Sequence, residues 1–151
     1  MSARGSYLPD PTNHWEPSDS TVELSRRALG VPSYAIMRHL GAAGIREMIT
    51  RHCGLAGYLA SKIAQMDGFE ALNSVASNQV AIRCTDGDAR TQKVLELVQE
   101  NGKVYPSHGQ WRGHEIIRAS VIGYATQKNH IDLLIDELQL ALETAKECDA
   151  A

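Results

Sequence analysis

Arg118 is the residue of this sequence best placed to do chemistry. It lies in the alternating run 115–122, on one face with Ile116 and Ser120 and opposite Ile117, Ala119 and Val121. A guanidinium committed to a strand in a largely apolar segment needs an acceptor. Its planar fork matches a carboxylate or phosphate through two parallel bonds, so Arg118 either binds an anionic substrate or pairs internally with one of the eighteen Asp and Glu residues. Beside it runs Ser107-His108-Gly109-Gln110-Trp111, polar and glycine-containing, whose His108, Gln110 and Trp111 either line a pocket or sit in a solvent loop.

Other chemistries find little support. The histidines at 14, 39, 52, 108, 114 and 130 include no pair with metal-ligand spacing on one helix face, and no metal site is expected. No Gly-x-Ser-x-Gly elbow surrounds Ser25, Ser33 or Ser61. Gly41-Ala42-Ala43-Gly44 falls between two helical patterns and reads as a helix corner, not a phosphate loop. Cys53, Cys84 and Cys148 are far apart and lack a Cys-x-x-Cys pair, which indicates neither a disulfide framework nor a zinc site. Cys53 and Cys84 read as small buried apolar residues, and Cys148 as partly exposed.

The elements that must hold Arg118 in place follow from periodicity. The 151 residues suit one domain, with 43% hydrophobic and 22% charged residues. A net charge of -3 argues against a nucleic-acid partner. No apolar run approaches the ~20 residues of a membrane span, and no secretory signal is visible, so a cytoplasmic location is expected. Residues 1–19, with three prolines, read as an extended arm, and 20–151 as the folded part. Ser20 and Glu23 have capping-box spacing for one short turn. A helix is expected from Pro32 to Leu40, broken by Gly41 and Gly44. A longer one spans 45–66, with Ile45, Met48, Ile49, Leu55, Leu59 and Ile63 as its apolar stripe and Gly54 and Gly57 allowing close packing.

Strands are expected at 69–72 and 79–84, then a helix over 89–101 entered through Asp86-Gly87-Asp88 and stopped by Gly102. Two further strands, 103–111 and 114–122, join in a hairpin at Arg112-Gly113. The last helix runs over 128–148, with Asp132, Asp136 and Glu137 near its start suiting the helix dipole. The order predicts an α+β fold, an antiparallel or mixed sheet covered by helices on one side.

Several segments in order carry a resemblance. They are Glu23-Leu-Ser-Arg-Arg-Ala28, residues 31–41, Gly44-Ile45, Arg51-His-Cys53, Leu72-Asn73, Asn78-Gln-Val80, Ile82-Arg83, Trp111-Arg-Gly113, Arg118-Ala-Ser-Val121, Thr126 and Ile131-Asp132. Together they resemble the C-terminal part of the group II pyridoxal-phosphate-dependent amino acid decarboxylases, which include the aromatic-amino-acid and glutamate decarboxylases. Ser6-Tyr-Leu-Pro9 is similar to the segment that follows the cofactor site in that family.

The resemblance implies the small C-terminal domain of a fold type I enzyme, a carboxy-lyase of amino acid metabolism. The family's Schiff-base lysine stands in a His-Lys context upstream of Tyr-Leu-Pro. Lys62, Lys93, Lys103, Lys128 and Lys146 do not match it. No catalytic or cofactor-binding residue is therefore expected in this chain, and pyridoxal phosphate is expected to be bound mainly by a large domain it lacks. The chain reads as a fragment whose partner is that large domain or a second subunit and whose substrate is an amino acid. Arg118 matches the arginine associated, in the family's glutamate decarboxylases, with the substrate carboxylate. Arg26 and Arg27 match paired arginines, expected at an interdomain or dimer contact. The other expectation is a non-catalytic interaction protein on the same scaffold, because the helical segments carry apolar stripes beyond what one small core needs.

Overall fold

The computed structural model describes residues 28–149. The arm over 1–19, the turn at Ser20 and the Arg26-Arg27 pair lie outside them. The chain divides at Gly41 into two units, Met1–Gly41 and Ala42–Ala151. Of the first, the described part is the opening of helix α1 (Gly30–Ile63). Gly41 has φ 61 and ψ -178, a break in helical geometry that glycine tolerates because it lacks Cβ. The expected helix corner therefore narrows to one residue, and Gly44 remains helical.

The second unit continues through β1 (Phe69–Ala71), β2 (Gln79–Cys84), α2 (Asp88–Asn101), β3 (Ser107–Trp111), β4 (His114–Ser120) and α3 (Lys128–Asp149). The four strands form one sheet in the order β1-β2-β4-β3, and every neighbouring pair is antiparallel. Alternation places Val80, Ile82, Cys84, Ile117 and Ala119 on one face, and these join a single core with all three helices. Ala56, Leu59 and Ile63 come from α1, Val94, Leu95 and Val98 from α2, and Ile131, Leu134, Leu138 and Leu142 from α3. Burying one sheet face under amphipathic helices is the α+β solution that the order of elements predicted.

Local signals behave as their chemistry requires. Gly87, at φ 106, opens α2, where buried Thr91 donates from Oγ1 to the Gly87 carbonyl and accepts from the Cys84 amide. Gly102 ends the helix in the left-handed conformation. Arg112 (φ 51) and Gly113 (φ 84) make a two-residue turn with both φ positive, which matches strand twist and closes the β3–β4 hairpin.

Four sequence expectations need correction. The buried stripe of α1 in the second unit is His52, Ala56, Leu59 and Ile63, whereas Ile49 is exposed. The spacing is helical as expected, but the face is rotated, and a histidine sits on it. Gly54 and Gly57 are exposed, and a Cβ at either would meet nothing within 4 Å among the described residues, so they serve no close packing there. Glu137, expected near the start of the last helix where it would suit the dipole, lies beyond the first turn of α3 and is 3% exposed, because α3 turns that side toward Asn101 and Lys103. Cys84 is buried and Cys148 exposed as expected, whereas Cys53 is half-buried.

Candidate anion-binding site

Arg118 pairs with Ser107 across the β3–β4 ladder. Residues directly opposite on antiparallel strands present their side chains to the same face, and here the Arg118 Nε donates to the Ser107 Oγ at 3.0 Å. That bond fixes the base of the guanidinium. None of the described carboxylates forms an ion pair with it. Of the two readings of Arg118, the internal ion pair is absent among the described residues, and the terminal nitrogens remain available to an external acceptor.

The side chain borders a cavity of about 470 Å³. Val104, Tyr105, Pro106 and Ser107 line it from the entry to β3, and Arg118 to Ile122 from the end of β4. Thr126, His130, Ile131 and Leu134 complete it from the following loop and the first turns of α3. Its polar groups are the guanidinium, four hydroxyls and an imidazole. His130 Nδ1 accepts the Gln127 amide at 3.0 Å, so the neutral ring carries its proton on Nε2 and has a donor left for a ligand. A fork-shaped cation, hydroxyl donors and an apolar wall can bind and orient a carboxylate that carries an organic side chain.

The other candidates lie elsewhere. His108 and Gln110 are not among the residues lining this cavity. They stand on the face of the hairpin opposite Arg118 and both bond Glu115, Gln110 at 2.6 Å. Those two bonds, His108 first, hold the Glu115 carboxyl below its usual range. Trp111 shares the Arg118 face but sits at the far end of the hairpin, with Arg112 over its ring at 5.9 Å to the centroid. Sequence reasoning missed Tyr105, Ser120, Thr126 and His130. Ser120 was legible, being two residues from Arg118 on the same strand. His130 was not, since its place at the cavity depends on the tertiary packing of α3.

The cavity does not by itself suit pyridoxal phosphate. That group needs a lysine amine for its Schiff base and an acid beside its ring nitrogen, and no lining residue is Lys, Asp or Glu. Lys103 is bound to Glu137, Lys93 faces Glu96, and Lys62 and Lys128 stand over the Tyr58 ring. Lys146 lies in the last turn of α3.

No protein-family model matches the chain. It is 28% identical over 120 residues to tyrosine decarboxylase 2 of Arabidopsis thaliana, covering 75% of this chain and 22% of that protein. It is 26% identical over 137 residues to 3,4-dihydroxyphenylacetaldehyde synthase of Drosophila melanogaster, covering 91% and 26%. Among solved structures, tryptophan decarboxylase of Catharanthus roseus in complex with L-tryptophan superimposes with a TM-score of 0.69 at 19% identity, covering 74% of this chain and 25% of that one. TDC of Oryza sativa, solved with PLP and tryptamine, gives 0.72 at 20%, covering 85% and 29%. The chain thus spans about a quarter of the length of the curated relatives it matches. The resemblance to the group II decarboxylases is borne out in sequence and in fold. Among the described residues, no helix is long and apolar enough to cross a membrane.

Proposed function

We propose that this chain acts as the C-terminal part of a pyridoxal-phosphate-dependent amino acid decarboxylase, contributing a carboxylate-binding arginine to an active site completed by a large cofactor-binding domain. The observation that carries this reading is Arg118, anchored through Nε to Ser107 at the wall of the cavity with no acid partner among the described residues. The relatives support it, named as tyrosine decarboxylases in two plant species and as an acidic amino acid decarboxylase in Xenopus tropicalis. Bound on the large domain, the cofactor would supply the electron sink that carbon dioxide loss requires. This chain's own residues bind and orient the substrate. Arg118 holds a substrate carboxylate in its fork, Ser120, Thr126 and His130 Nε2 offer further donors, and Tyr105, Ile122 and Leu134 shape the apolar side.

A second reading rests on a different observation. In the first unit, Leu29, Val31, Tyr34, Ile36 and Met37 are all more than half exposed, an apolar row of the sort that a partner normally covers. It favours an interaction protein built on the same scaffold.

One reconstitution separates the two. The chain is mixed with the cofactor-binding part of Arabidopsis tyrosine decarboxylase, pyridoxal phosphate and carboxyl-labelled amino acids. Complex formation with release of labelled carbon dioxide, lost in Arg118→Ala without loss of the complex, is the expected result. A complex that releases none supports the interaction reading. Neither complex nor release would overturn both readings. A specific borohydride-trapped lysine adduct and carbon dioxide release by the chain alone would overturn the division of labour.

A further inference from the structure

We propose that Arg51 and His52, two neighbours on α1, are positioning residues for the Arg118 cavity, acting through the backbone of the loop between β4 and α3. His52 Nε2 lies 2.9 Å from the Gly123 carbonyl oxygen, and the Arg51 Nη2 donates to the Tyr124 carbonyl oxygen at 2.7 Å. A carbonyl can only accept, so His52 carries its proton on Nε2 and donates. Consecutive side chains on a helix diverge by about 100°. Two of them reach consecutive carbonyls only when the loop holds one conformation, so the pair specifies that conformation and does not merely touch it.

The loop is built for this anchoring. The Gly123 carbonyl also accepts the Thr126 amide at 3.0 Å, which closes a turn over 123–126. A Cβ at Gly123 would stand 2.5 Å from the Thr126 Oγ1, so a side chain there would force the Thr126 side chain to move. Ile122 and Thr126, at either end of the turn, both line the cavity. His52 is itself fixed, 6% exposed on the buried stripe with Ala56, Leu59 and Ile63. Among the described residues Arg51 Nε is buried without a partner, so a single terminal nitrogen carries that residue's contribution. Neither side chain lines the cavity, and neither bonds Arg118. Their effect on a bound anion passes entirely through the loop.

The inference rests on the carboxylate reading of Arg118 for its functional consequence, and its test keeps the two apart. Amide exchange is followed by NMR on the whole chain in wild type, Arg51→Ala, His52→Ala, Arg51→Lys and His52→Gln. The alanine variants should speed exchange at the Thr126 amide about tenfold while the β2 and β4 amides keep their protection. Lysine and glutamine each still offer one nitrogen to the same carbonyl, and should restore it. Titration with succinate as probe should then show several-fold weaker binding at Ser120 and Thr126 in the alanine variants only. Unchanged Thr126 exchange in both alanine variants, or equal acceleration throughout the sheet, would overturn the positioning role. If the loop responds but wild type fails to bind succinate, the carboxylate reading of Arg118 is what falls. Should His52→Ala not fold, Arg51→Ala and His52→Gln carry the same comparison.

Discussion

Lys103 Nζ donates to Glu137 Oε1 at 2.7 Å, across the gap between the end of α2 and the middle of α3. Glu137 is almost wholly covered, and Asn101 Nδ2 donates to its other oxygen at 3.1 Å. The Lys103 bond, together with Asn101, outweighs burial and holds the carboxyl below the usual 4.5. The unfolded chain therefore takes up this proton before the folded one does. The contribution of Glu137 to stability is complete above the unfolded value and is lost as pH falls through the folded one. In Lys103→Met, burial dominates and raises the carboxyl instead. That variant should melt lower at neutral pH and lose less between pH 5 and pH 3 than wild type, as thermal unfolding followed by circular dichroism will report. A parallel pH dependence in the two proteins would rule the pairing out as the cause.

Gly54 and Gly57 are exposed in the interior of α1, with open space where a Cβ would stand. Alanine restricts the unfolded chain without straining the folded one, so Gly54→Ala and Gly57→Ala should each stabilise the chain by about 0.5–1 kcal/mol in urea unfolding. Destabilisation by either would mean that the glycines answer to a contact beyond those described.

The three cysteines should separate by reactivity. Burial pushes the Cys84 thiol up to about 11, where little thiolate exists at neutral pH, and Cys148 is exposed. Iodoacetamide at pH 8 should modify Cys148 first, Cys53 more slowly and Cys84 only on unfolding, with peptide mass spectrometry assigning each site. Early loss of the Cys84 thiol would contradict its place in the core.

Arg118→Ala should leave the melting temperature of the isolated chain nearly unchanged, since an exposed side chain with no acid partner among the described residues contributes within about 0.5 kcal/mol. Its effect should fall on binding, with succinate affinity reduced about ten- to a hundredfold by isothermal titration calorimetry. Arg118→Lys should recover only part, because an ammonium cannot reproduce the fork. A large loss of stability in Arg118→Ala would restore the internal ion-pair reading.

Much of this architecture was legible from residue order because the signals are local. Gly87, Gly102 and the Arg112-Gly113 pair sit where backbone geometry demands them, and period-2 alternation over 115–122 already put Arg118 and Ser120 on one face. The rotation of α1 was not legible, because Ile49 and His52 satisfy helical spacing equally well and only the partner surface decides which is buried. His108 and Gln110 stand on the strand paired with that of Arg118 but on its opposite face, since one residue along a strand reverses the face.

The sequence by itself determined the elements, their order and the commitment of Arg118 to a strand, since capping, turn chemistry and periodicity act over a few residues. The tertiary structure alone decided which groups meet. Ser107 beneath the guanidinium, His130 across the cavity, Glu137 turned inward to Lys103, and Arg51 with His52 on the loop at 123–124 join residues far apart in the chain. No local preference encodes such pairings. They arise when the helices bury one face of the sheet and most buried polar groups must then find a partner.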